Sequence, residues 1–260
     1  MAMSESSRAA GRPDIWPQAR PLRLGTGKVG IVVSHGFTGS VQSIRPWAEA
    51  LAAPGDGYAG ARVLAPRLPG HGTSWQDLAR TRWWDWYGAV EDAYLQLSQE
   101  CARVFVAGLS MGGALALLLA QRHTPAGVLL VNPAIATTDR RIPVASLLHK
   151  VLPPQAGIAS DIAKEGVEEL GYPRFSVTSL ATMTDLWKVT RRGLGDVHAP
   201  VLLLRSTQDH VVDGATAKVL TKRIRGLEQV PLTRSFHVAT LDHDADLIAE
   251  TSRRFVTRHA

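Results

Sequence analysis

The sequence predicts an α/β fold: a mostly parallel, doubly wound sheet with a helical insertion set into it. Five short runs rich in Val, Leu and Ile recur along its 260 residues: VGIVVSHG at Val29–Gly36, ARVLAP near Arg62, RVFVAG at Arg103–Gly108, GVLLVNP near Val128 and PVLLLRS at Pro200–Ser206. They are continuously apolar rather than alternating, as strands are when helices cover both faces of a sheet. Stretches with helical spacing separate them. After VNPAI the alternation stops and resumes only at the last run.

The elements follow in chain order. MAMSESSRAAGR is small and polar with no apolar h-region, so residues 1–12 are expected as a disordered tail, not a secretory signal. The core is expected over residues 13–134 and 196–260. The first apolar run leads into HGFTGS, and PGDGYAGARV around Gly55 gives a long turn before the second. From Trp83 to Glu100, residues Trp83, Trp86, Tyr87, Val90, Tyr94 and Leu97 fall on one helical face, with Trp84 off that stripe. The third run predicts a strand ending at Ala107, and a helix starts near Met111. Between residues 135 and 195, Pro143, Pro153, Pro154 and Pro173 punctuate amphipathic pieces such as VASLLHKVL and SVTSLATMTDLWKV, which predicts a helical cap over one end of the sheet. A strand at Val201–Leu204 and a last one at Glu228–Leu232 complete the sheet. DHDADLIAE then opens a terminal helix with negative charge at its N-terminus, where the helix dipole favours it.

Composition narrows the function classes. Apolar residues make up 45% and charged residues 20%, which excludes collagen, coiled coil and disorder. The net charge of +6 comes from scattered pairs such as Arg140-Arg141 and Lys222-Arg223, not from a basic stripe interleaved with aromatics, so no nucleic-acid partner is expected. The longest dense apolar run, Ala114–Ala120, is far short of the roughly 20 residues of a membrane span. One cysteine, Cys101, cannot form an intrachain disulfide and needs no oxidising compartment; a cytoplasmic location follows by default.

The chemistry centres on GLSMG. Ser110 stands between an apolar strand and an apolar helix, at the carboxyl end of the strand, where open α/β sheets place their ligands. So sharp a strand-to-helix turn crowds its neighbours, and Gly108, Gly112 and Gly113 remove the Cβ atoms that would clash. The pattern is that of a nucleophile elbow. A serine hydroxyl needs a base, itself oriented by a carboxylate.

Asp209 in LLLRSTQDHVV lies just past a strand at the same sheet edge as Ser110 and is the favoured acid over Asp213 and Asp196. His237, on the loop after Glu228–Leu232, is the favoured base over His243, which borders the terminal helix, and His210, which adjoins the acid. The backbone N–H groups of Met111 and of Phe37, which follows His35-Gly36, are the expected oxyanion donors. His35 and His71 sit in Gly-rich turns without zinc-like spacing and are read as loop-fixing; no metal and no cofactor are expected.

SHGFTGS, APRLPGHGTS, GLSMGG, STQDHVV and SFHVATLDHD, in this order, resemble the α/β-hydrolase superfamily, and most closely its bacterial carboxylesterases and monoacylglycerol lipases, from about Lys28 to the C-terminus. The resemblance implies the α/β-hydrolase fold with residues 135–195 as its cap, Ser110 as nucleophile, Asp209 and His237 as partners, and Phe37 and Met111 as oxyanion donors. RSF before His237 departs from the small residue expected there. The expected substrate is a short- or medium-chain carboxylic ester, with monoacylglycerol among the candidates. Cap residues Ile142, Leu147, Leu148, Ile158 and Leu180 either contact it or form the cap's own core. A lactone, thioester or C–C hydrolase with the same triad, and a ligand-binding protein that has lost activity, stand as alternatives. A monomer or small homo-oligomer is expected.

Overall fold

The computed structural model describes residues 14–55, 57–157 and 160–260; the tail expected at 1–12 and Ile158, expected in the cap, lie outside them. The chain runs through β1 (Leu22–Leu24), β2 (Val29–Ser34), α1 (Arg45–Ala52), β3 (Arg62–Ala65), the single turn α2 (Trp75–Leu78), α3 (Trp83–Glu100), β4 (Arg103–Leu109), α4 (Met111–Arg122) and β5 (Gly127–Val131). After them come α5 (Arg141–Leu147), β6 (Gln155–Ala156), β7 (Arg174–Phe175), α6 (Val177–Arg192), β8 (Val201–Ser206), α7 (Ala215–Arg223), β9 (Glu228–Leu232) and α8 (Ala245–His259).

Among the described residues seven strands form one sheet in the order β1-β3-β2-β4-β5-β8-β9. Only β1 is antiparallel, paired with β3; the other neighbours are parallel. Alternate residues of each strand enter opposite apolar layers, as the two-residue period of a strand requires. Val104, Val106, Val128, Leu130, Val201 and Leu203 meet α3, α4 and α6 on one side. Phe105, Ala107, Leu129, Val131, Leu202 and Leu204 meet α1 and α8 on the other.

Helix α3 keeps its predicted stripe, with Trp86 and Leu97 fully buried while Trp84 is 56% exposed. Helix α4 is buried at every position from Met111 to Ala120, so the apolar run there is an interior helix. No helix among the described residues is long and apolar enough to cross a membrane.

Two differences from the sequence reading have local causes. Strand β4 continues past Ala107, because Gly108 and Leu109 pair with Leu130 and Val131 of β5. Gly108 reads as a turn residue, yet it lies in the strand because α4 crosses directly over it. Strand β1 was not predicted: Leu-Arg-Leu is three residues on an edge, too short for a period to register.

The segment between β5 and β8 carries α5, α6 and the small antiparallel pair β6–β7. Helix α6 is capped by Ser176, whose hydroxyl accepts the Thr178 N–H. It buries Leu180, Met183, Leu186 and Trp187. Helix α5 buries none of its residues, and Leu147 is 82% exposed.

Candidate active site

Ser110 joins β4 to α4 with φ 54° and ψ −118°, a left-handed conformation that costs a non-glycine residue on the order of 1–3 kcal/mol. The surroundings force it. A Cβ on Gly108 would overlap the Gly112 carbonyl, and one on Gly112 would overlap the Ser34 carbonyl of β2, so strand and helix approach backbone to backbone. The turn is then pinned by hydrogen bonds. Ser110 N–H donates to Val131 O (3.0 Å), and Ser110 O accepts from Gly113 N–H (2.9 Å) and Ala134 N–H (3.1 Å). The side chain faces a cavity that it shares with Phe37, Leu180, Met183, Trp187 and His237.

Asp209 lies in the turn after β8. Its Oδ1 accepts the N–H groups of Val211 (2.9 Å) and Val212 (2.8 Å), and its Oδ2 meets His237 Nδ1 at 2.9 Å. Burial pushes the Asp209 carboxyl up, but the His237 hydrogen bond and charge, with the two N–H groups, outweigh it and hold the carboxyl below its ordinary range. It is therefore ionised at neutral pH and can only accept. The His237 proton stands on Nδ1, which leaves Nε2 as an acceptor. His237 is 5% exposed and lines the Ser110 cavity. The Ser110 hydroxyl makes no hydrogen bond to His237 among the described contacts; such bonds often tighten only when substrate binds.

The rival residues have other partners. Asp213 receives the N–H groups of Thr138 (2.6 Å) and Ala215 (2.8 Å), tying the start of α7 to the segment after β5. Asp196 and His243 are exposed. His210 is exposed too and bonds to Asp161.

The loop after β2 brings Phe37 to the cavity. Close approach is visible at Gly36, where a Cβ would stand 3.3 Å from the Ser110 Cβ. Met111 is the first residue of α4, so its N–H is one of the orphan donors at the positive end of the helix dipole. Neither the Phe37 nor the Met111 amide donates to a protein acceptor among the described hydrogen bonds.

His35 and His71 brace this loop. His35 Nδ1 donates to Gly36 O (2.9 Å), and its Nε2 accepts the Leu68 N–H (3.3 Å). Burial lowers the His35 pKa to about 4, and burial with the neighbouring His35 lowers that of His71 as well. Both are neutral at pH 7. No cluster of three metal-ligating side chains occurs among the described residues.

A family model described as serine aminopeptidase, S33 matches residues 27–237, a span that includes Ser110, Asp209 and His237. This chain belongs to that family. The α/β-hydrolase architecture agrees. A thermostable monoacylglycerol lipase of Bacillus sp. (strain H-257) is 39% identical over 247 residues, covering 93% of this chain and 96% of the relative. A carboxylesterase of Bacillus subtilis (strain 168) is 22% identical over 249 residues, covering 92% and 96%. The solved structure of a metagenome-derived lipolytic enzyme superposes with a TM-score of 0.89 at 36% identity, covering 95% of this chain and all of the other.

Several residues that line or brace the site were not singled out from the sequence. Glu169 lines the Ser110 cavity; burial pushes its carboxyl up, opposed by the His237 charge. Asn132, at φ 43° just past β5, donates from Nδ2 to His237 O (2.8 Å) and Ser206 Oγ (2.9 Å) and accepts the Ser206 N–H (2.7 Å). The Asn-Pro after an apolar strand was its signal, since Asn tolerates positive φ and signs a strand end. Glu169 had none. Of the residues expected in a cap, Ile142 and Leu180 line the cavity, while Leu147 and Leu148 are exposed.

Proposed function

We propose that the chain is a serine hydrolase of carboxylic esters, with monoacylglycerols in its substrate class, acting through an acyl-enzyme on Ser110. The single observation that carries this is the buried His237–Asp209 pair, whose remaining ring nitrogen is free to accept, in the cavity into which the strained Ser110 projects. His237 Nε2 takes the Ser110 proton as the hydroxyl oxygen bonds to the acyl carbon. The carbonyl oxygen becomes an oxyanion held by the Phe37 and Met111 N–H groups, with the α4 dipole behind the second. Collapse expels the alcohol, which leaves with the proton from His237. Water then attacks the acyl-enzyme by the same path and releases the acid. Asp209 stabilises the transient imidazolium.

The substrate class is supported by the cavity walls. Leu180, Met183 and Trp187 offer apolar surface beside Ser110, and past Ile142 and Trp187 a wider groove of about 750 Å³ continues between α5 and α6. An acyl chain suits that path. Glu169 supplies a hydrogen-bond acceptor for hydroxyls of the alcohol. The names of the relatives point the same way. Residues 135–195 act as a cap over the site. A cytoplasmic location and a monomer or small homo-oligomer as the active unit complete this reading.

Initial rates over p-nitrophenyl esters and monoacylglycerols of rising chain length test the proposal, with Ser110→Ala as control and an aminoacyl p-nitroanilide included because of the family description. Ester turnover that vanishes in Ser110→Ala is expected. Silence on every ester alongside cleavage of the anilide, a lactone or a thioester would overturn it.

A further inference from the structure

Two carboxylates knit residues 160–164 of the segment between β5 and β8 to the loops that carry Asp209 and His237, and the chemistry above uses neither. Asp242, in the LDHD stretch after His237, reaches outward: it accepts the N–H groups of Ala163 (2.7 Å), Lys164 (3.0 Å), Phe236 (2.9 Å) and His243 (2.8 Å). Asp161 reaches the opposite way. Its Oδ2 accepts the backbone N–H of His237 (3.0 Å) and of His210 (3.1 Å), and its Oδ1 meets His210 Nδ1 at 2.8 Å. Its carbonyl accepts the Val238 N–H at 3.0 Å. The His210 ring in turn stands edge-on to Phe236, centroids 4.5 Å apart.

We propose that Asp161 is a positioning residue of the hydrolase, a single carboxylate that fixes the acid-bearing and base-bearing loops against each other from outside the sheet. The inference rests on the function proposed for Ser110, Asp209 and His237. Its physical content is a question of which atoms are tied to which. Ser110 is held by β4, α4 and the end of β5 and makes no hydrogen bond to this knot among the described residues. His237 and Asp209 come from separate loops after β9 and β8, and their 2.9 Å contact depends on the relative placement of those loops. Asn132 holds His237 through its carbonyl, and Asp161 holds it through its N–H, so the residue is gripped from both sides. Releasing the N–H side leaves a buried donor unpaired and lets the imidazole drift from Ser110. The walls that bind the acyl chain, Leu180, Met183 and Trp187, come from α6 and make no hydrogen bond to Asp161.

The test is steady-state kinetics of Asp161→Ala, Asp161→Asn and Ser110→Ala in the full chain on one p-nitrophenyl ester. A displacement of about 1 Å costs roughly 100-fold in rate, so Asp161→Ala should lose about 30- to 100-fold in kcat with KM within about threefold of wild type. Asp161→Asn keeps an oxygen for the two backbone donors and should recover most of the loss. Should the alanine variant fail to fold, Asp161→Glu replaces it: the charge stays, the carboxylate moves by one methylene, and kcat should again fall with KM held. A folded Asp161→Ala or Asp161→Glu with wild-type kcat overturns the inference. So does a rise in KM alone, or an asparagine variant no faster than alanine. An active Ser110→Ala would instead overturn the underlying assignment of the nucleophile.

Discussion

Asp209→Asn is the sharpest perturbation of the proposed chemistry, because it keeps the shape while replacing one carboxylate oxygen by an NH2 donor and removing the negative charge. Two of the contacts of Asp209 are with fixed donors, the N–H groups of Val211 and Val212 at 2.9 and 2.8 Å on Oδ1. In the variant only the amide oxygen can accept both, so the amide nitrogen must face His237 Nδ1. That nitrogen donates, and the ring is driven to the tautomer with its proton on Nε2, unable to take one from Ser110. Turning the amide round would restore the useful tautomer but forfeit both backbone bonds, at about 1–2 kcal/mol each. That alone leaves the productive form about 30- to 1000-fold depleted, and the lost imidazolium stabilisation adds to it. A total near 10⁴ in kcat is expected, as for the same change in other triads. The assay is kcat on a short-chain p-nitrophenyl ester at neutral pH, with a thermal melt to show the fold intact. A variant within tenfold of wild type would refute the assignment of Asp209.

Three further outcomes are expected from the same structure. Gly112→Ala forces a methyl into the Ser34 carbonyl and should destabilise the fold by about 1–3 kcal/mol, read as a lowered Tm; an unchanged melt contradicts the close strand-to-helix contact. Asn132→Ala removes the link between Ser206 and the His237 carbonyl and should cost about 2–3 kcal/mol in urea unfolding together with much of kcat, whereas normal stability would show the link to be dispensable. His35 titrates near 6.5 when unfolded and about 4 when folded, so the unfolded chain binds the extra proton between those values. Its contribution is fully present above pH 6.5 and is lost as pH falls toward 4, to the extent of roughly 3 kcal/mol, with His71 adding in the same direction. Urea midpoints between pH 7.5 and 4.5 should fall accordingly, and a flat profile would mean that these rings are not held neutral.

What the sequence made legible were features with a local period or a local constraint. Helix α3 and strand β9 have the bounds their patterns implied, Trp83–Glu100 and Glu228–Leu232. Ser110 could be found because its turn demands glycines on both sides, and Asp209 and His237 because each lies just past a strand at one sheet edge. Asp161, Asp242 and Glu169 could not be found this way. Asp161 and Glu169 act through residues distant along the chain, His210 and His237 for Asp161 and His237 for Glu169, and Asp242 ties its neighbours Phe236 and His243 to the distant Ala163 and Lys164, so none leaves a trace in the spacing around it. The apolar residues of the cap were equally ambiguous. Ile142 and Leu147 look alike in sequence, yet Ile142 lines the cavity beside Ser110 while Leu147 stands 82% exposed on the open groove beyond it, because only the packing of α5 over α6 decides how deep each one sits.

Covalent capture at Ser110 tests the central claim most directly. Folded wild-type protein incubated with a fluorophosphonate should gain the mass of one adduct, located at Ser110 by peptide mapping, with loss of esterase activity in step with labelling. His237→Ala should label far more slowly, and Ser110→Ala not at all. Activity that survives full labelling, or an adduct on another residue, would contradict the account.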